Sequence, residues 1–281
     1  MTIKYFRLIK GLLSEELLYV FDESTIVQKK FLITDYKEQG GLLEQFVSSR
    51  KWKFNKKKFD QAEQKAGDRG FVIVGDFSSP LKLLHLVMGP VNAVYFLMEQ
   101  PEFARGIMEI HEKNQLDLVR QAVSNGVRVI MSMDNLDTMF HPPEYVEAYS
   151  ASFYEKAAAI CHEYGALFFI HACGNQKDNL RLISSLHVDG LEGVAFPPLG
   201  DVGLDEAMQM TSENFIITGG ISAIETRDLK TRKEVFEYVE NLFSKMKPYR
   251  NRFIFSASCN TAINTSWETI KYFRDAWLEY R

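Results

Sequence analysis

The sequence predicts an α/β fold, a parallel sheet wrapped by helices and closed as a TIM-type (β/α)8 barrel. From residue 71 onward, short β-branched runs alternate with helical patterns, and Gly, Pro or Asn sits at the joints. Strands and helices alternating at this spacing imply parallel strands joined by right-handed crossovers. The first of these strands is followed by GDFSSP rather than G-x-G-x-x-G, which argues against an open dinucleotide-binding sheet. A length of 281 residues suits one barrel, since such barrels commonly run to about 250 residues.

FVIVGDF (71–77) reads as a buried strand. A helix follows over 80–99, interrupted at Gly89-Pro90 because proline cannot continue a helix. The next helix, 101–126, opens on Pro101 and closes with Asn125-Gly126. A strand over 127–134 leads to a helix over 142–165, again with proline first and glycine last. The same alternation continues with strands at 166–173, 188–195, 215–222 and 252–259. Helices are predicted between and after them at 177–187, 203–211, 231–246 and 265–279.

The first 70 residues follow a different pattern. LSEELLYVFDES and GGLLEQFVSSRKW look helical, and TIVQKKFLITDY offers one or two strands. A complete barrel needs two strands from here, so the barrel is expected to be incomplete or distorted at its N-terminal strands. The expected division is a helical or lid region over 1–70, contributing early barrel elements, and a barrel body over 71–281 that carries the site.

Composition narrows the function. Lys and Arg number 33 against 37 Asp and Glu, a net charge of −4, with 46% apolar and 13% aromatic residues. Such a chain can bury a core, which excludes a disordered linker. No run of about 20 apolar residues is free of charge, which argues against a membrane span. The charged N-terminal stretch lacks a small-residue cleavage site and is not expected to be a signal peptide. Three cysteines, an odd number, point to a reducing, cytoplasmic compartment in which thiols stay free. RKWKFNKKKFD (50–60) packs six basic residues among aromatics. The chain as a whole is acidic and has no nucleic-acid recognition motif, so a solvated face is expected there.

In a parallel barrel, chemistry gathers at the carboxyl ends of the strands. Those ends read Asp76, Asp134-Asn135, His171-Ala172-Cys173-Gly174-Asn175, Glu192, Gly219-Gly220-Ile221-Ser222 and Ser258-Cys259-Asn260. His171 and Cys173 are two residues apart on a strand and therefore share a face. Barrel closure can bring Cys259 beside them. One His and two Cys form a zinc set that leaves a fourth position open, as in catalytic sites. The competing reading is that both cysteines are small buried apolar residues. Glu192 and Asp134 are the candidate catalytic residues. Asp76, Asn135 and Asn175 are the candidate substrate-binding residues. Helix capping competes for Asp134 and Asn135, and Asn260 is expected to cap its turn. Cys161 and His162 lie inside a helix pattern and read as bystanders. His85, His111, His141 and His187 have no ligand partner at suitable spacing.

The stretch IMSMDNLDTMFHPPEYVEAYSASFYEKAAAICHEYGALFFIHACGN resembles the uroporphyrinogen decarboxylase superfamily. It is most similar to the corrinoid-dependent methyltransferase branch, whose members carry a His-x-Cys-Gly-Asn strand end and a late cysteine. The similarity continues through VDGLEGVAF, ITGGIS and SASCNTAINTSWETI, and covers about residues 71–279. It implies that His171, Cys173 and Cys259 bind Zn2+, which activates a thiol for methyl transfer with methylcobalamin. It also implies a corrinoid protein or free methylcobalamin as partner, beside a small-molecule methyl donor or acceptor. By analogy with methionine synthase, Glu192 is a candidate removable fourth zinc ligand. The chain departs from the decarboxylases in lacking an Arg-Gln-Ala-Gly-Arg segment before Phe71. Their catalytic aspartate has one candidate, Asp35, whose spacing to the next strand is too short. A decarboxylase and a non-catalytic corrinoid- or tetrapyrrole-binding protein are the alternative readings.

Overall fold

A computed structural model describes residues 2–281. The chain divides into two compact units, one of residues 1–128 and 148–166 and the other of 129–147 and 167–281.

The first unit begins with an antiparallel meander of β1 (Thr2–Leu8), β2 (Gly11–Val20) and β3 (Thr25–Lys30). Two sequence readings are corrected here. LSEELLYVFDES is not helical: its first eight residues continue β2, and a turn follows. Its leucines and glutamates suit helical spacing, but pairing with strands on both sides outweighs that weak preference. TIVQKK forms a strand as expected, but in this separate antiparallel sheet rather than among the parallel strands.

α1 (Tyr36–Ser49) starts at Asp35, whose carboxylate accepts the N–H groups of Lys37 and Glu38 at 2.8 and 3.1 Å. Asp35 is therefore a helix cap, a role worth about 1 kcal/mol. α2 (Lys56–Ala66) is capped in the same way by Asn55, and Arg50 stacks on Phe46 and Trp52. β4 (Ile73–Phe77) fills the predicted 71–77 strand, but only Phe77 of its side chains is buried. A β-branched run signals a strand without fixing how many neighbours cover it.

α3 (Pro80–Glu99) breaks its helical backbone at Gly89 (φ 77°), where a Cβ would come within 2.8 Å of the Phe31 ring. α3 is long and apolar enough to cross a membrane by composition, but 56% of its apolar window is buried within the protein. It packs on α4 (Pro101–Ser124). The helix expected over 142–165 is interrupted at Ser150 (φ −128°), giving α5 (Pro143–Tyr149) and α6 (Ala151–Glu163). α6 packs on α4.

The second unit is built on five parallel strands in sequence order: β5 (Val129–Ser132), β6 (Leu167–His171), β7 (Gly190–Val194), β8 (Ile216–Ile221) and β9 (Phe253–Ala257). The intervening helices are α7 (Leu180–Ser185), α8 (Leu204–Met210), α9 (Ala223–Asp228) and α10 (Arg232–Met246), with α11 (Trp267–Tyr280) last. Only α9 was not anticipated, although Ser222-x-x-Glu225 is a capping box legible in the sequence. Val235, Phe236, Val239, Phe273 and Ala276 of α10 and α11 pack with Ile221 of β8. On another face, Val129, Met131 and Phe169 form a small apolar cluster with Ile216 against it.

Candidate metal centre

The site stands directly above that cluster. Phe169 pairs in register with Gly190, and Gly190 with Ile216. Two residues further along the same strands, His171 pairs with Glu192 and Glu192 with Thr218. Side chains two apart on a strand share a face, so a polar row of His171, Glu192 and Thr218 caps an apolar row. The apolar row lies within the strands, and the polar row lies toward their carboxyl ends.

His171 is the last residue of β6. Cys173 lies two residues beyond it in the loop, and Cys259 lies two residues beyond the end of β9. Their donor atoms, one imidazole nitrogen and two sulfurs, all lie within 4.8 Å of one another. Ligand atoms sharing one tetrahedral zinc stand roughly 3.5 Å apart, at bonds of roughly 2.0–2.3 Å. The cluster therefore fits such an ion after small side-chain adjustments, and its nitrogen–thiolate chemistry suits zinc.

The Glu192 carboxylate hydrogen-bonds His171 Nδ1. The bulge that turns β7 between Glu192 and Val194 is made by Gly193 (φ 98°). A Cβ on Gly193 would lie 2.5 Å from the Ser258 carbonyl oxygen, 2.6 Å from that of Ala172 and 3.2 Å from His171 Cε1. The loops carrying the two cysteines and the imidazole thus close around a residue that must be glycine.

The electrostatics favour an ion pair. Cys259 is pulled down from 9.0 to about 4, first by a hydrogen bond from Cys173, then by His171, against the opposing effect of burial; the Asn260 N–H adds to the pull. Burial works to lower His171, but its hydrogen bonds to Cys259 and Glu192 win and raise it from 6.5 to about 9. A site that holds a thiolate at neutral pH is ready for a cation.

The other expected residues separate by place. Asp134 is fully buried and accepts a 2.6 Å hydrogen bond from Ser132. Asn135 takes a left-handed backbone (φ 51°), and its N–H donates to the His171 carbonyl at 3.0 Å. The Asn175 carbonyl accepts Thr138 N–H at 2.8 Å. Asp76 is exposed at β4 in the first unit. Cys161 is buried in α6 and His162 is exposed. Asp137 was missed by sequence reasoning, although the Asp/Asn-rich turn DNLDT was visible. So was the Gly193 bulge, for which a glycine inside a strand pattern was the available signal.

The sequence profile described as "Uroporphyrinogen decarboxylase (URO-D)" matches residues 51–280. No curated protein sequence matches the chain. Among solved structures, a methyltransferase from Methanosarcina mazei is similar with a TM-score of 0.69 at 12% identity, over 95% of this chain and 75% of that one. A B12-independent methionine synthase from Shewanella sp. W3-18-1, in complex with selenomethionine, is similar with a TM-score of 0.58 at 10% identity, over 93% and 72% of the two chains. At these identities the likeness is one of fold, and it bears out the α/β, TIM-barrel class expected from the sequence.

Proposed function

The chain belongs to the uroporphyrinogen decarboxylase family, and from that premise we propose that it is a zinc-dependent methyltransferase. It moves a methyl group between a corrinoid, either methylcobalamin or a corrinoid protein, and a thiol or other small molecule. The observation that carries this reading is the convergence of His171, Cys173 and Cys259 at the ends of two parallel strands. These three residues would hold the zinc. When bound, the zinc supplies a Lewis acid that keeps a coordinated thiol deprotonated and nucleophilic.

The chain's own residues do the rest. Glu192 orients the imidazole through Nδ1, and its service as a removable fourth ligand would require the carboxylate to leave that contact. Asp134 shapes the β5 end from its buried position, and Asn135 and Asn175 brace the loop that carries Cys173. Asp76 is a candidate for contact with the substrate. The loops at this end of the second unit expose Met133, Met139, Phe140, Leu199 and Ile263, and Trp267 at the start of α11 is 77% accessible. Exposed apolar surface of this kind suits a large, partly apolar ligand such as a corrin ring. The proposed setting is the cytoplasm, where thiols remain reduced.

The decarboxylase reading is weakened because Asp35, the candidate for the catalytic aspartate, is occupied as a helix cap. Metal analysis of purified protein tests the proposal, with about one zinc per chain expected and its loss on Cys259→Ser. Methyl transfer from methylcobalamin to a panel of thiols, followed in the visible spectrum of the corrinoid, tests the reaction. Protein without zinc would overturn the assignment. Zinc without transfer to or from a corrinoid would favour a binding role.

A further inference from the structure

We propose that Asp137 is a positioning residue that fixes the loop bearing Cys173, and with it the geometry of the thiol pair. The inference rests on the metal-site reading above only for its consequence, not for its geometry. The chain after β5 grips the chain after β6 at three points on both sides of Cys173. Upstream, Asn135 N–H donates to the His171 carbonyl at 3.0 Å. Downstream, Thr138 N–H donates to the Asn175 carbonyl at 2.8 Å, and Asn175 N–H donates to Asp137 Oδ2 at 3.3 Å.

Asp137 is the only one of these contributors to act through its side chain. Its other oxygen, Oδ1, accepts Met139 N–H at 2.9 Å, so the carboxylate is held by its own loop while it holds the other. Its backbone is fixed as well: Asp137 N–H donates to the Asn135 carbonyl at 2.7 Å, and His141 N–H donates to the Asp137 carbonyl at 2.8 Å. The fit to the next residue is close. Gly174 has φ 86°, and a Cβ there would stand 2.0 Å from Asp137 Oδ2 and 2.8 Å from Cγ. The carboxylate therefore occupies the space beside the residue that follows Cys173, and the loop turns there because it carries no side chain. A charged acceptor on a backbone N–H is stronger than a neutral one, and groups that orient ligands typically change metal affinity about 10–100-fold when removed.

The experiment compares wild type, Asp137→Ala and Asp137→Asn, the last keeping the side-chain shape in case the alanine variant does not fold. Iodoacetamide labelling of the metal-free protein, resolved by peptide mass spectrometry, gives the rate at Cys173 relative to Cys259. The expected result is a change of about fivefold or more in that ratio for Asp137→Ala, with a smaller change for Asp137→Asn. An unchanged ratio in whichever variant folds overturns the proposal, whether or not the wild type binds zinc. Zinc affinity, measured by chelator competition, then tests the consequence: a loss of about tenfold, with an altered thiolate charge-transfer band in the cobalt(II)-substituted protein. Failure of the wild type itself to bind zinc would instead count against the metal assignment.

Discussion

Glu192 pairs in register with His171 on the adjoining parallel strand, and its carboxylate hydrogen-bonds Nδ1 of that imidazole. The contact follows from the sheet: strands in register place the two side chains on one face, and the Gly193 bulge is the next residue along. Removing the carboxylate frees the ring to rotate and removes a partner that stabilises its protonated form. Glu192→Gln is expected to weaken zinc binding by about tenfold or more. It is also expected to lower the His171 pKa in the metal-free protein. Chelator competition and histidine NMR titration check the two effects, and unchanged values in both would remove Glu192 from the site.

The two candidate thiols should separate cleanly from the third. Cys259→Ser removes a ligand and is expected to abolish stoichiometric zinc. Cys161→Ala, at a fully buried position of α6, should lower stability by about 1 kcal/mol through lost packing. Its zinc content should be unchanged. Elemental analysis of both variants checks this, and zinc loss in Cys161→Ala would refute the division.

The pH dependence of the metal-free protein follows from the two shifted groups. His171, raised from 6.5 to about 9, contributes stability that is fully present below pH 6.5 and is lost as pH rises through about 9. Cys259, lowered from 9.0 to about 4, contributes stability that is present above its ordinary value and is lost as pH falls through about 4. The ion pair therefore persists between those limits. Alkylation of Cys259 should stay fast down to about pH 4 instead of declining below pH 9. A midpoint near the ordinary thiol value would contradict the pairing.

Two glycines should respond in opposite directions. Gly193→Ala puts a methyl 2.5 Å from the Ser258 carbonyl oxygen at φ 98°, and should cost about 1–3 kcal/mol together with zinc affinity. Gly41→Ala, in α1 with nothing within 4 Å of its Cβ, should stabilise by about 0.5–1 kcal/mol. Chemical denaturation of both variants decides the point.

Most of the parallel part of the fold was legible because strand and helix periodicities are local. Each predicted strand from 71 onward forms, shortened by at most two residues at either end, since hydrophobic runs outlast the ladder bonds that define a strand. The N-terminal segment was misread where local preference was weak. Leu12, Leu13, Leu17 and Leu18 fit either period, and only pairing with β1 and β3 makes that stretch a strand. Asp35 and Asp137 show the same limit at single residues. A carboxylate's role depends on which N–H groups it meets: Asp35 finds them two and three residues ahead, Asp137 finds one in a distant loop.

The sequence by itself determined the α/β class, the order of the strands and the residues whose chemistry suits a metal, because strand ends and ligand types can be read from the chain in one dimension. Tertiary structure decided what those residues do together. Cys259 is 86 positions from Cys173, and β7 and β8 separate their strands in the sheet, so only the folding of the chain in space brings the sulfurs and the imidazole within 4.8 Å. Bonds to Cys259, Glu192 and the Asp137 loop depend on register and on where backbones close in space, which no spacing in the sequence specifies.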